Sequence, residues 1–95
     1  MVVGVLRLEL LLHAPQNLKE KRAIVQKLLG RCRARFPVSA AEVDHQNLWK
    51  RSTLGFAVVE QSEKEIDPLF AKIEGEILAA GLADITARDQ EFLHY

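Results

Sequence analysis

Cysteine is nearly absent: Cys32 stands alone, so no disulfide can close within the chain. It falls on the apolar side of a predicted helix and reads as a small buried hydrophobe, not a reactive thiol. Long apolar runs are missing too. The opening stretch is rich in Val and Leu, but Arg7 and Glu9 interrupt it and Pro15 closes it. It is too short and too charged to span a bilayer, and it has neither the basic start nor the cleavage site of a secretion signal. The expected location is therefore the cytoplasm, with no membrane partner. There is no low-complexity tract and no internal repeat. No glycine-rich loop of the kind that cradles a nucleotide occurs, and no cofactor or other small-molecule ligand is expected. The three histidines, His13, His45 and His94, lack the spacing of a metal site, and each reads as a surface or hydrogen-bonded residue. What remains is an ordinary globular composition on 95 residues, enough for a single domain with one core.

Net charge is zero, yet its distribution is lopsided. Residues 1–51 hold ten Lys/Arg against four Asp/Glu, and residues 60–95 hold three against nine. The chain is predicted to have a basic side and an acidic side. On the simpler reading the two sides attract each other, within one molecule or between copies. On the sharper reading the basic side meets an anionic partner.

Taken in order, Val2 to His13 alternates with period two. Leu6, Leu8, Leu10 and Leu12 form a core face, with Val5, Arg7, Glu9, Leu11 and His13 opposite. Asn17 is a candidate N-cap for a helix over Leu18–Arg35, whose apolar stripe is Leu18, Val25, Leu28, Leu29 and Cys32. Phe36-Pro37 ends that helix. Arg22, Gln26 and Arg33 lie on one flank of the stripe, Lys27 and Arg31 on the other. Strands are predicted over Val38–Val43 and Thr53–Gln61, with Leu54, Phe56 and Val58 turned to the core and the faces of the former unassigned. Ser62-Glu63-Lys64-Glu65 has the form of a capping box opening a second helix, with Pro68 behind an Asp67 cap as the alternative start. Gly81 is a natural stop, and Leu82 to Leu93 reads as the last strand. Strand, helix, strand, strand, helix, strand predicts an α+β, ferredoxin-like βαββαβ sandwich: a four-stranded antiparallel sheet with both helices on one face.

The segment joining the two central strands carries more chemistry than a turn needs. Asp44, His45, Gln46 and Asn47 are followed by Leu48, the only tryptophan, Trp49, and then Lys50 and Arg51. No Asn-Gly or Asp-Gly pair marks a two-residue hairpin turn. Asn17-Leu18-Lys19-Glu20-Lys21-Arg22, Val38-Ser39, Ala41-Glu42-Val43-Asp44-His45-Gln46 and Leu48-Trp49 together resemble the YlxP-like family of small bacterial proteins, a domain of unknown function. The similarity runs from Val3 through the second helix and is weakest over Ile85–Glu91. The resemblance implies a ferredoxin-like fold. It also implies a genetic setting among translation and ribosome-maturation genes, next to ribosome-binding factor A and an initiation factor. It brings no established activity and no catalytic residue. The loop residues that carry it are Glu42, Asp44, His45, Gln46 and Trp49.

Three classes of function are open. RNA or ribosome binding has as candidate contacts Lys19, Arg22, Lys27, Arg31, Arg33, Lys50 and Arg51 for phosphates and Trp49 for an unpaired base. The sheet itself lacks the exposed aromatics of an RNA-recognition motif, since Val58 and Gln61 stand where two rings belong. For Trp49 the preferred reading is that it packs over the sheet edge, because tryptophan is largely buried on average. An acid–base site from Asp44, His45, Lys50 and Arg51 is the enzymatic reading. Asp44 and His45 are adjacent, however, so on an extended strand they point to opposite faces. The glycine-bounded phosphate loop of acylphosphatases is replaced by His13-Ala14-Pro15-Gln16. No catalytic residue is assigned. The third class is an interaction module, a homo-oligomer, expected as a dimer through the open sheet face around Val5 and Leu11.

Overall fold

Period-two alternation in the first strand decides which way the sheet faces. In the computed structural model, which describes residues 1–95, Leu6, Leu8, Leu10 and Leu12 are all buried, while Arg7 and Leu11 face outwards. The elements are β1 (Val2–Leu12), α1 (Leu18–Arg35), β2 (Ser39–Asp44), β3 (Arg51–Glu60), α2 (Glu63–Ala79) and β4 (Ala83–His94). Every strand pair is antiparallel and the sheet order is β2-β3-β1-β4. Leu8 lies opposite Leu54 and Leu6 opposite Phe56, which turns the larger side chains of β3 to the core as expected. Val25, Leu28, Leu29 and Cys32 of α1 and Ile66, Phe70, Ile73 and Ile77 of α2 join them in one buried cluster. Both helices therefore cover one face, and the fold is the ferredoxin-like α+β sandwich.

α1 begins and ends where its signals say. The Asn17 side chain accepts a hydrogen bond from the Glu20 amide at 2.9 Å, and Glu20 in turn accepts from the Gln16 amide at 3.0 Å. Leu18, expected on the stripe, is only half-buried. In α2 the capping box is incomplete. Ser62 makes no side-chain cap bond, and Glu65 accepts from the Gln61 amide instead of closing on Ser62. Pro68 lies inside α2, so the longer helix forms at the cost of one backbone bond. Gly81, with φ of 70°, ends it in the left-handed conformation that favours glycine.

Gly4 shares the core row of β1 with Val2 and Leu6. A Cβ there would stand 2.6 Å from Ile66 Cγ2 and 3.0 Å from Phe70 Cζ, so α2 rests directly on the strand backbone. Further along, α2 meets the edge strand β4 through polar pairs. Glu74 accepts from Arg88 at 2.7 Å, Asp67 accepts from Gln90 at 2.7 Å, and Glu63 lies 2.6 Å from His94. The charge split of the sequence thus becomes a split across the sheet. Basic α1 packs against the edge strand β2, and acidic α2 packs against β3, β1 and β4. Glu76 bridges the helices, accepting from Arg31 at 2.9 Å and from Arg35 at 3.2 Å.

Candidate functional site

Strand directions bring three connections to one end of the sheet: β1 to α1, β2 to β3, and α2 to β4. Leu12 donates to the Lys50 carbonyl at 2.7 Å and His13 to the Leu82 carbonyl at 3.1 Å, which ties the three together. The β2–β3 loop, residues 45–50, has an internal frame. Its amide at His45 donates to Asp44 Oδ1 at 2.8 Å. His45 takes a positive φ of 61°, unusual for a residue with a side chain. Its carbonyl accepts from the Leu48 amide at 3.1 Å, closing a turn.

That conformation is held from beneath by a residue outside the set of sequence candidates. Lys21 of α1 is fully buried. Its Nζ lies 2.6 Å from Glu42 Oε2 and donates to the His45 carbonyl at 2.7 Å and the Gln46 carbonyl at 3.2 Å, so all three ammonium protons are used. Glu42 also accepts from Ser52 Oγ at 2.6 Å. β2 carries an irregularity between Glu42 and Asp44, and Glu42 lies opposite Leu54 on the core side of the sheet. A sequence signal for this exists. Leu18, Lys21 and Val25 follow three- and four-residue spacing, so Lys21 occupies the buried stripe, and an acid two residues after buried Ala40 shares its face.

The backbone of the loop is thus braced while its side chains are presented. Trp49 is 51% exposed and Leu48 46%, which corrects the expectation that Trp49 packs over the sheet edge. Gln46, Asn47, Lys50 and Arg51 are exposed beside them. The carboxylates of the loop and its flanking segments are engaged: Glu20 in the cap of α1, Glu42 with Lys21, Asp44 with Arg7 at 3.5 Å, and Asp84 with His13 at 3.1 Å. Glu9, opposite Thr53 on the open face, is the exception and has no cation within 4.0 Å. By contrast Lys19, Arg22, Lys27, Lys50 and Arg51 have no carboxylate within 4.0 Å. Lys19 and Arg22 at the start of α1 share the loop's end of the molecule with Trp49, Lys50 and Arg51. Lys27 stands further down the helix. Arg31 is drawn to Glu76, and Arg33 donates to the Ala40 carbonyl, so these two do not belong to the free set.

Acid–base chemistry finds little here. The left-handed backbone at His45 brings its Nδ1 to 3.9 Å from Asp44 Oδ1, closer than an extended strand allows but beyond hydrogen-bond reach. The three histidines lie against three different carboxylates, and no group of three potential metal ligands is present. Burial, reinforced by Glu76 and opposed by Arg31, pushes the Cys32 thiol up to about 11, so it stays protonated at neutral pH and is a poor nucleophile. No helix is long and apolar enough to cross a membrane.

The opposite, helix-free face of the sheet is divided. Val5, Ala41, Ala57 and half-exposed Val43 and Val59 make an apolar block, with Val43 Cγ1 resting where a side chain on Gly55 would stand. Asp84, Asp89 and Glu91 of β4 make the other border acidic.

Comparison with known proteins agrees with the fold and adds no chemistry. A family model described as a protein of unknown function, DUF503, matches residues 3–90. An uncharacterised protein, YlxP, of Bacillus subtilis (strain 168) is 34% identical over 77 residues, covering 77% of this chain and 84% of that protein. Among solved structures, a point mutant of SnoaB, a cofactor-independent oxygenase from Streptomyces nogalater, superposes with a TM-score of 0.53 over 99% of this chain and 92% of its own. Its sequence identity is 10%, which speaks for the fold alone.

Proposed function

The chain belongs to the DUF503 family of proteins of unknown function, and we propose that it is a non-enzymatic, RNA-binding accessory factor, associated with the ribosome, that works through the loop end of its sheet. The observation that supports this is the imbalance at that end. Lys19, Arg22, Lys50 and Arg51 are without acidic partners, the nearby carboxylates other than Glu9 are engaged elsewhere, and a half-exposed tryptophan stands among them. Unpaired cations release counterions when they meet phosphates, and an exposed indole stacks on bases. The translation-gene setting implied by the family resemblance agrees with this reading.

Titration with ribosomal RNA fragments tests it. Four phosphate contacts predict an affinity loss on the order of a hundredfold between ~50 and ~200 mM salt. Replacing Lys50 and Arg51 together by alanine is expected to cut the slope of log affinity against log salt by about half. Well-folded protein that fails to bind at low salt sinks the reading, as does binding to anionic vesicles with the same salt slope and none to RNA.

Self-association is a second reading, favoured by the apolar block of the open face, where Val43 and Val59 are exposed at 49% and 58%. The acidic β4 border restricts such a contact to the β2–β3 half. Light scattering is expected to give a dimer that Val43→Glu with Val59→Glu dissociates. A monomer at millimolar concentration ends that reading.

A further inference from the structure

We propose that residues 45–51 form a reader of one unpaired nucleotide, and that the RNA recognised carries a single-nucleotide bulge or similar flipped base. This rests on the RNA reading above and narrows it. Trp49 is the only indole or phenyl ring available at the cationic end; the smaller imidazoles of His13 and His45 lie there too, beside Asp84 and Asp44. Phe56 and Phe70 are buried, Phe36 and Phe92 are half-buried, and Tyr95, beside Met1, lies at the far end of the sheet. The open face offers no second ring. Its rows on β1 and β3 run Val3, Val5, Arg7, Glu9 and Leu11, and Arg51, Thr53, Gly55, Ala57 and Val59. A track of stacked bases therefore cannot continue from Trp49 along the sheet, and one base is what the surface accommodates.

The rest of the loop suits one base. Gln46 and Asn47 are exposed amides, each with a donor and an acceptor, three and two residues before the indole. They can pair with a base edge, which is open only when the nucleotide is out of its duplex. Lys50 and Arg51 follow Trp49 directly, and Lys19 and Arg22 lie at the same end, where the phosphates on either side of a flipped nucleotide pass. The backbone that carries these groups is fixed in advance by Lys21, which bonds the His45 and Gln46 carbonyls. The backbone is therefore ordered before the base arrives, and only the exposed side chains have still to settle.

The test uses two RNA hairpins of identical sequence, one with a single bulged nucleotide and one with that nucleotide deleted. Trp49 is the only tryptophan, so its own emission reports stacking. The expected result is about tenfold tighter binding of the bulged hairpin, with quenching of Trp49 emission on that hairpin only. Trp49→Ala is expected to erase the preference while keeping the salt slope, and Trp49→Phe to retain most of it. Thermal melting checks that both variants stay folded. Equal affinity for the two hairpins with unchanged Trp49 emission overturns this inference and leaves the RNA reading intact. Absence of binding to either hairpin at low salt overturns both.

Discussion

Replacing Lys21 by methionine is expected to lower the stability of the fold by about 3–5 kcal/mol, the usual cost of breaking a buried ion pair. Methionine matches the length and apolar stem of lysine, so packing of α1 is nearly unchanged. What is lost is the ammonium. Glu42, whose side chain is 15% exposed, is left charged and mostly out of water with only the Ser52 hydroxyl for company. The His45 and Gln46 carbonyls lose a donor at the same time. In a domain of this size, that loss lowers the melting temperature by roughly 15 °C or more. Adding Glu42→Leu is expected to recover a good part of it, because the stranded carboxylate is then gone. A Lys21→Met protein that melts within two or three degrees (roughly half a kcal/mol) of the wild type would show that Lys21 does not brace the loop. The sole tryptophan follows the loop independently of the melt: its fluorescence anisotropy should fall in the variant well below the melting temperature.

Gly4→Val is expected to destabilise by about 3 kcal/mol, at the upper end of what overpacking a core costs. The first added carbon already stands inside contact distance of Ile66 and Phe70, both fully buried. Neither can swing into solvent, so α2 must lift from β1. The strain belongs to a pair of residues, and a double-mutant cycle exposes it. Ile66→Ala alone costs about 2–5 kcal/mol as a cavity, but combined with Gly4→Val the two changes should cost less than their sum by at least about 1 kcal/mol. Strict additivity in urea midpoints would show that the close approach is relaxed elsewhere.

The architecture is legible in the sequence because its signals are periodic and redundant. Four leucines at period two set the face of β1, and Asn17 and Phe36-Pro37 bracket α1 to the residue. Boundaries slip where a local bond outvotes composition. Composition places Val38 in β2, but its amide turns back to the Phe36 carbonyl. It leaves Arg51 out of β3, although Arg51 pairs with Leu11. In β4, Arg88 and Gln90 face the helix side and are satisfied by Glu74 and Asp67 of α2, partners that no pattern within the strand announces.

The candidate site is legible in composition and not in arrangement. Asp44 to Arg51 stands out by residue type. That Lys21 lies beneath the loop depends on a helix, a strand and a loop meeting, and a lysine inside Lys-Glu-Lys-Arg looks like surface charge. A helical wheel groups Arg31 and Arg33 with the phosphate contacts because it shows angles and not neighbours. Glu76 lies 45 residues from Arg31, and Ala40 lies on another element. The exposure of Trp49 runs against the average behaviour of its residue type, and only the brace under the loop explains how an indole can be held out from the core.

The sheet order has a consequence for the making of the protein. β1 is a central strand, and its largest pairing, Val2–Leu12 with Ala83–His94, joins segments far apart in the sequence. During synthesis the leucine-rich β1 emerges before the other elements and waits through α1, β2, β3 and α2 before its second neighbour exists. Throughout that interval the nascent chain carries an unpaired apolar edge, the kind that recruits other strands. Completion of the fold therefore waits for β4 to emerge from the translating ribosome, and the chain is most exposed to misassembly before that strand arrives.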